Sequence, residues 1–321
     1  MKFLVRRVVL AIGVLLMVSF VSFCFFASTY LPLKGTPLLP AYWRWLRGVP
    51  TGHNLGHGLL GPLWPVVVPA MAHTLVLLAL TLVVVVVVAV ALGCLAAASR
   101  SSALDVVLRA GSYLGWAVPP FILGLVLQQT VGKAAGGSGL GWFPPGGWAG
   151  QCPGGLGIDL HTFRCPSAGN GLTYVGNIIW HLMLPAIALA VGFIGLHSRY
   201  LRSSLIAVLD APYITTARAK GVSERQVILR HALRNSLITF VPALLNDFGA
   251  IFGASLAVDL IFSLNGLGTL FVRVLNVNGG APILDTYAMQ LLLLIGGLLV
   301  LTASLLGELA VGLLDPRVNL D

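Results

Sequence analysis

Hydrophobic residues along this chain fall into six long runs, which polar or glycine-rich segments separate. A helix that crosses about 30 Å of hydrocarbon needs roughly 20 apolar residues, because each residue adds about 1.5 Å of rise. Six segments reach this length, at approximately 8–30, 74–98, 110–131, 177–200, 237–262 and 287–314. The pattern therefore predicts an all-α, polytopic membrane protein with six transmembrane helices.

Two of these segments allow another interpretation. The first follows Lys2, Arg6 and Arg7 in the manner of a signal peptide, but its apolar run is too long for one, so we expect a retained anchor helix. The second contains a β-branched run at 82–88, which would suit a buried strand in a soluble protein. Its long apolar context favours a membrane helix, since open strands leave backbone groups unsatisfied in lipid.

Composition and charge agree with a membrane protein and predict its orientation. The chain is 57% hydrophobic and 9% charged, with a mean hydropathy of +0.94. If the N-terminus is cytoplasmic, 13 of the 19 Lys and Arg residues lie inside and 6 outside, as the positive-inside rule requires. We therefore expect both termini in the cytoplasm. Topology and contact with anionic membrane lipid explain the net charge of +9, and no nucleic-acid partner is expected.

The predicted external loops, 31–73 and 132–176, are rich in Gly, Pro and Trp. Cys152 and Cys165 share the second loop, where a disulfide would add about 3 kcal/mol of stability; two free thiols are the alternative. The tryptophans of these loops are expected to be membrane-interface anchors rather than ligand platforms. They are Trp43, Trp45, Trp64, Trp142 and Trp148.

Sequence motifs for catalysis or nucleotide binding are absent. No G-x-x-x-x-G-K-[ST] motif occurs, since Gly132 and Lys133 are followed by Ala134, so the chain is not expected to hydrolyse ATP alone. His53 and His57 have the spacing of two metal ligands on one helical face, but no third ligand is near. We expect no metal site, no cofactor and no enzymatic activity.

Segment 210–235, the charged loop, separates the fourth and fifth runs. Asp210 is a candidate N-cap with Pro212 in the first turn, and Gly221 is placed to end the helix in a left-handed conformation. Ser223 then opens a second helix, with Gln226 at capping-box spacing. The loop is therefore predicted to be a helix, a glycine break and a second helix.

The two predicted helices differ in how they bury apolar side chains. The first carries Tyr213 and Ile214 and cannot bury them within so small a loop, so we expect it to dock in a partner's groove. The alternative is that the basic residues only hold the loop inside and contact lipid phosphates. The second helix has an apolar face, formed by Val227, Ile228, His231, Ala232 and Leu233.

Residues in and around the charged loop resemble a known family. The run YITTARAKG at 213–221 and HALRN at 231–235 resembles the coupling loop of the dipeptide/oligopeptide/nickel permease family of ABC importers. The stretch from Arg199 to Ser204 resembles the R-x-x-R-S-S pattern that enters that loop. Matches at 119–121, 261–262, 266–268 and 314–317 follow in the family's order. Asp210 and Pro212 depart from it, since the family commonly has Glu and Ala there.

The resemblance implies the type I ABC importer permease fold, with an anchor helix and first external loop at 1–73 and a permease core at 74–317. It implies half of a translocation path for oligopeptides or dipeptides in a prokaryotic plasma membrane. The implied partners are a second homologous permease, two cytoplasmic ATPases that hold ATP and Mg, and an external peptide-binding lipoprotein. Nickel or another small solute is the alternative substrate, and a stand-alone six-helix carrier is less favoured.

The resemblance also assigns roles to residues of the charged loop, which it places at about 202–236 with its flanks. Coupling to the ATPase falls to Asp210, Ala211, Tyr213, Ala217, Arg218, Ala219, Lys220 and Gly221. Support of the loop falls to Arg199, Arg202, His231, Arg234 and Asn235.

Polar side chains within the predicted spans are a second set of candidates, because they are costly if they face lipid. Asn246, Asp247 and Asp259 are candidates for the translocation path. The alternative for Asp247 is a hydrogen bond that holds two helices together. His181 and Glu308 lie near predicted helix ends and are expected to reach water, while His197 lies in the fourth run.

Overall fold

The computed structural model describes residues 2–29, 37–50, 63–132, 140–148, 171–275 and 286–314. Cys152, Cys165, His53 and His57 lie outside these ranges, so the predictions made for them stay predictions. The described residues form helices α1 Lys2–Thr29, α2 Leu38–Gly48, α3 Trp64–Ala98, α4 Ala103–Ala117, α5 Pro120–Thr130, α6 Gly171–Leu209, α7 Pro212–Ala219, α8 Glu224–Gln226, a π-helical turn Val227–Ala232, α9 Leu233–Asn246, α10 Phe248–Phe262, α11 Leu267–Leu275 and α12 Thr286–Leu314.

Six candidate membrane spans are confirmed once bent helix pairs are counted as single spans. Helices α1, α3, α6 and α12 are each long and apolar enough to cross a bilayer. Helices α4 and α5 form a fifth span with a 98° bend, and the rod from α8 to α9 forms a sixth with α10 at a bend of 46°. The all-α, polytopic fold predicted from the hydrophobic pattern is therefore confirmed.

The break between α4 and α5 was not predicted, although two consecutive prolines in the sequence cause it. Pro119 and Pro120 follow Val118, whose backbone is extended at φ −88° and ψ 119°. A proline disfavours helical geometry in the residue before it, and its missing N–H removes a helical hydrogen bond. The third apolar run therefore folds as two helices at a steep angle rather than as one.

The second helix of the charged loop continues directly into the fifth span. Helix α8, the π-helical turn and α9 form one rod from Glu224 to Asn246, whereas the apolar pattern predicted a span that starts only at 237. The glycine break and both flanking helices agree with the prediction. The loop's second helix and the first part of the fifth span are therefore one continuous rod.

The centre of the fold is helix α6, which packs against α3, α4, α5 and α9. Small residues permit close approach of these helices, as is common in membranes. At Gly195 of α6 any side chain would collide with the backbone of Ser112 in α4, and Gly93 of α3 lies against the Leu201 side chain. The apolar residues buried around this contact include Leu78, Val85, Ala89, Phe193, Leu201, Leu205 and Phe240.

Helix α2 is an amphipathic helix within the segment 31–73, which was predicted to be an external loop. Its Tyr42 packs edge-on against Phe20 and Phe23 of α1. Trp45 is buried beside them, so the prediction that this tryptophan anchors the chain in the membrane interface is wrong. The Trp45 ring is buried because it packs between α2 and α1 of the same chain.

The other tryptophans of the predicted loops differ in their burial. Trp148 is buried and stacks on the His73 ring at 3.9 Å between ring centroids, so it is not an interface anchor either. Trp64 is partly buried, and its indole nitrogen donates a hydrogen bond to the Val49 carbonyl at 2.9 Å. Trp43 and Trp142 remain exposed, as an interface anchor requires.

Candidate coupling surface and polar groups in the spans

Helix α7 begins one residue later than predicted, and Asp210 does not cap it. Ala211 occupies the N-cap position with an extended backbone and no side-chain cap, and Pro212 lies in the first turn. The Asp210 carboxylate instead accepts hydrogen bonds from Arg100 at 3.1 and 3.2 Å. This ion pair joins the start of the charged loop to the turn between α3 and α4.

The end of α7 is a Schellman motif centred on Gly221, as the left-handed cap predicted. Gly221 has φ of +81°, and its N–H donates to the Arg218 carbonyl at 2.9 Å. The next N–H, from Val222, reaches back to the Ala217 carbonyl at 3.2 Å. These two bonds are the pair that defines the motif, so the turn depends on a residue that tolerates positive φ.

An exposed ion pair closes the turn between the two loop helices. Ser223 lies at the N-cap position of α8 but makes no side-chain cap, so the predicted capping box is not formed. Arg218 instead donates to both carboxylate oxygens of Glu224, at 2.6 and 3.0 Å. These hydrogen bonds raise the pKa of Arg218 above its usual value. The guanidinium thus helps to shape the turn and is already engaged within the chain.

The two faces of α7 have different surroundings. Ile214 is completely buried within this chain, so the prediction that α7 cannot bury its apolar side is wrong for this residue. Tyr213 lies on the other face, where it is 45% exposed, and its hydroxyl accepts a hydrogen bond from Asn235 at 2.8 Å. Ala219 and Lys220 are exposed as well, and Ala217 is partly exposed. An open surface of tyrosine, alanine and lysine remains.

His231 and Arg234 follow on the rod that leads into the fifth span. Both are exposed, so the prediction that His231 lies on the apolar face of this helix is wrong. Val227, Ile228 and Ala232 do form that face and are buried. The π-helical turn here adds an extra residue to the turn, which rotates the residues that follow it relative to a regular α-helix.

Arg202 links the end of α6, which leads into the charged loop, to α4. Its Nε and Nη2 atoms each donate to the Asp105 carboxylate at 2.6 Å. Asp105 is 1% exposed, and Arg109 stands 3.8 Å from it. The neighbouring Arg199 lies over the Tyr113 ring at 4.2 Å. Both arginines thus fasten the last turns of α6 to α4.

Asp105 was missed in the sequence analysis, although a short motif marks it. Ser102 is the N-cap of α4 and its hydroxyl accepts the Asp105 N–H at 3.2 Å, three residues on. Serine followed three residues later by an acidic residue is the capping-box pattern. The motif locates the helix start, but the pairing with Arg202 depends on tertiary packing.

Asp247 and Asn246 lie at the bend between α9 and α10. The Asp247 carboxylate is 3.3 Å from His197 Nε2, and its side chain is 37% exposed whereas His197 is fully buried. Asn246 is exposed. The structure therefore leaves two of the three path candidates accessible at a helix break within a membrane span.

Asp259, the third candidate for the path, is buried and occupied. Its two carboxylate oxygens accept hydrogen bonds from the N–H groups of Gly266 at 3.0 Å and Thr269 at 2.6 Å. Thr74 of α3 accepts the Leu267 N–H in the same turn at 2.9 Å. This placement does not favour the path hypothesis for Asp259, because its carboxylate holds the start of α11.

The prediction that two further polar groups reach water is wrong for His181 and is not contradicted for Glu308, whose side chain is 32% exposed. His181 is buried, and its Nδ1 lies 2.8 Å from the Asn177 carbonyl one turn earlier. Glu308 accepts a hydrogen bond from Arg7 at 2.7 Å, which joins α1 to α12. Both groups thus have partners within the chain.

These features define a class of protein. The chain is a multi-pass α-helical membrane protein, and it presents a short, exposed helix on a rigid turn between its fourth and fifth spans. Comparison with known proteins gives the family: residues 89–320 match the profile of the binding-protein-dependent transport system inner membrane component. The chain belongs to this family. The match includes the charged loop and starts within α3, so the division of the chain at residue 73 stays a prediction.

Similar proteins are permeases of peptide transport systems. The oligopeptide transport system permease protein AppB of Bacillus subtilis is 28% identical over 286 residues, which cover 88% of this chain and 81% of AppB. The dipeptide transport system permease protein DppB of the same organism is 32% identical over 71% of this chain and 62% of DppB. The oligopeptide transport system permease protein OppB of Haemophilus influenzae is 29% identical over the same shares.

Proposed function

We propose that this chain is the membrane-spanning permease subunit of an ATP-binding-cassette importer for oligopeptides or dipeptides. It forms half of the translocation path, and a second homologous permease forms the other half. Two cytoplasmic ATPases hold the ATP and Mg, and an external binding lipoprotein delivers the peptide. The chain itself needs no cofactor and catalyses no reaction. The names of its relatives support the peptide substrate.

The observation that carries this proposal is the construction of the charged loop. The buried Ile214 side chain packs the inner face of helix α7 against the rest of the chain. The ion pair of Asp210 with Arg100 fixes the start of the helix, and the left-handed backbone of Gly221 ends it. Its outer face is left open, and the rod that follows runs into the fifth span without a break. A rigid helix of this kind transmits a push from a partner to the membrane helices.

Residues of the charged loop then have separate roles. We assign contact with the ATPase to Tyr213, Ala217, Ala219 and Lys220, since small residues permit close approach and the tyrosine fills a pocket. Asp210, Ala211, Arg218 and Gly221 shape α7, and Arg199 and Arg202 fasten it to the bundle. An exposed ion pair contributes at most about 1 kcal/mol, so shape dominates the contact.

The location that goes with this function is the plasma membrane of a prokaryote, with both termini and the charged loop in the cytoplasm. The distribution of Lys and Arg supports this orientation. In it, α2 and α11 lie on the external side, where the binding lipoprotein docks.

Uptake into proteoliposomes tests the function. The chain is coexpressed with a cognate second permease and ATPases, reconstituted with ATP inside the vesicles, and given the binding lipoprotein and a labelled tetrapeptide outside. We expect uptake that needs ATP and every subunit. The matched control is the chain reconstituted alone, which we expect to be inert. Uptake by the chain alone would identify a stand-alone carrier and contradict the proposal.

A further inference from the structure

Asp247 is an ionisable residue that the packing of this chain does not explain. It separates α9 from α10 at the 46° bend of the fifth span. Its carboxylate makes no hydrogen bond to any residue that the structure describes, and more than a third of the side chain is open. A carboxylate within a membrane span costs about 2.5 to 3.5 kcal/mol on insertion scales if it faces lipid. It therefore faces protein or water.

His197 lies directly behind this carboxylate. The imidazole is fully buried in α6, packed against the Phe240 ring at 5.7 Å, with Nε2 3.3 Å from Asp247. Within the described part of the chain, neither ring nitrogen has a hydrogen-bond partner. Even a neutral imidazole carries one N–H donor and one acceptor. A buried polar ring without hydrogen-bond partners beside an open carboxylate is the arrangement of an incomplete site.

The position along α6 places this pair within a candidate membrane span, near the end that leads into the charged loop. His197 precedes Leu209, the last residue of α6, by about 18 Å of helix at 1.5 Å per residue. The pair thus lies between the charged loop and the middle of the span, where a crossing solute can reach it.

The open face around Asp247 is built of small and polar residues. Asn246, Ala250 and Gly253 are exposed on successive turns. Lipid-facing surfaces of this chain look different, since the exposed residues of α1 include Val9, Met17 and Phe25. Small side chains leave room for a passing solute or a second subunit, whereas the residues that face lipid are bulky and apolar. This face therefore borders the path rather than the lipid.

We propose that the Asp247 carboxylate, with His197 behind it, is a weak binding point for an ammonium group of the transported solute. The inference deepens the proposed function, on which it rests. Among the described residues no three His, Cys, Asp or Glu side chains come together, so a metal ion here would find at most the two ligands Asp247 and His197, which does not favour a metal site. An ammonium group brings three hydrogen-bond donors of its own. A single carboxylate with one neighbour binds it transiently, as transport requires.

A protection assay tests this site without the binding lipoprotein. The whole permease and ATPase complex carries Asn246→Cys, and a neutral maleimide labels this cysteine in nanodiscs, read by mass spectrometry. Free tetra-alanine, titrated into the millimolar range, is expected to slow labelling by about threefold once it reaches twice its Kd. N-acetyl-tetra-alanine, which lacks the ammonium group, is expected to leave the rate unchanged. An acetylated peptide that ends in lysine shows whether a side-chain ammonium also binds.

Two variants decide whether protection depends on the Asp247 carboxylate. Asp247→Asn is expected to abolish protection by tetra-alanine, and Asp247→Glu, which keeps the charge, to retain part of it. The proposal is overturned if the free and acetylated peptides protect equally, if neither protects, or if protection survives Asp247→Asn. Loss of the second permease from the purified Asp247→Asn complex would overturn it too, since Asp247 would then be an assembly contact.

The uptake assay keeps this inference separate from the proposed function. If the intact complex takes up tetrapeptides but shows no ammonium-dependent protection at position 246, only the site is wrong. If the complex takes up no peptide in the presence of every subunit, the proposed function fails, whatever the protection assay shows.

Discussion

Gly221 is the residue on which the shape of the charged loop depends most directly. Its φ of +81° is a conformation that residues with a side chain rarely adopt, while an added Cβ would meet no atom within 4 Å. The cost of a substitution at this position is therefore one of backbone conformation rather than of steric collision. Gly111 of α4 is also open around its Cβ position but has an ordinary helical backbone.

This pair of glycines gives a matched test. Gly221→Ala is expected to cost about 1 to 2 kcal/mol, the penalty for left-handed backbone in a residue with a Cβ, and to reduce ATP-dependent uptake. Gly221→Pro is expected to abolish uptake at normal expression, because proline fixes φ near −65°. Gly111→Ala is expected to leave uptake unchanged. Similar uptake by the Gly221→Pro and Gly111→Ala complexes would show that the turn at Gly221 does not matter.

Two ion pairs near the charged loop differ in burial, and this difference predicts their effect on stability. Asp105→Asn removes the charge of a buried carboxylate and leaves Arg202 without a counter-ion, so we expect a loss of about 3 kcal/mol. Glu224→Gln breaks the exposed pair with Arg218 and is expected to cost less than about 1 kcal/mol. Thermal unfolding of the purified complexes compares them. Equal shifts in Tm would contradict the role given to Asp105.

At the scale of elements, α7 is held to the bundle mainly by one apolar side chain. Ile214 is its fully buried residue, and replacing a buried isoleucine by alanine typically costs about 2 to 5 kcal/mol. We expect Ile214→Ala to loosen α7 while α6 keeps its structure. Hydrogen exchange of the amides in 212–219 should then become faster, and that of the amides in 190–205 should not change. Thr215→Ala, on the exposed side, is the control and should change neither.

The sequence predicted the number and type of elements well and their ends less well. The six apolar runs appear as six candidate spans because helix length in a membrane is set by hydrocarbon thickness. The bend at Pro119 and the cap at Ala211 were missed, since each depends on which hydrogen bonds the backbone makes locally. Asp210 looks like an N-cap by itself, but its carboxylate pairs with Arg100 from the turn between α3 and α4.

Features of the candidate site that depend on local backbone geometry were predicted from the sequence. Features that depend on tertiary packing were missed. Gly221 follows from its position after a helical run. The burial of Ile214 does not, because the surface that covers it comes from other elements. Asp105 and its pairing with Arg202 join residues that lie far apart in the sequence. The same holds for His197 and Asp247.

At the scale of the whole molecule, the chain has the surface of a part of an assembly. Large apolar side chains are exposed on α4 and α5 as well as on α1, among them Leu114, Phe121 and Leu125. Such surfaces face lipid or a second subunit, and we propose that the open face at Asp247 borders the translocation path. In the proposed function the charged loop receives force from the ATPase, and the rod from Glu224 to Asn246 carries this force into the fifth span.

The proposed function requires the outer face of α7 to contact the ATPase. A photoreactive phenylalanine analogue in place of Tyr213 or of Tyr113 tests it, because both tyrosines are about half exposed, at 45% and 60%, but lie on different elements. After illumination of the assembled complex, we predict a cross-link to the ATPase from position 213 and none from position 113. ATPase cross-links of equal yield from the two positions, or none from 213, would contradict the claim.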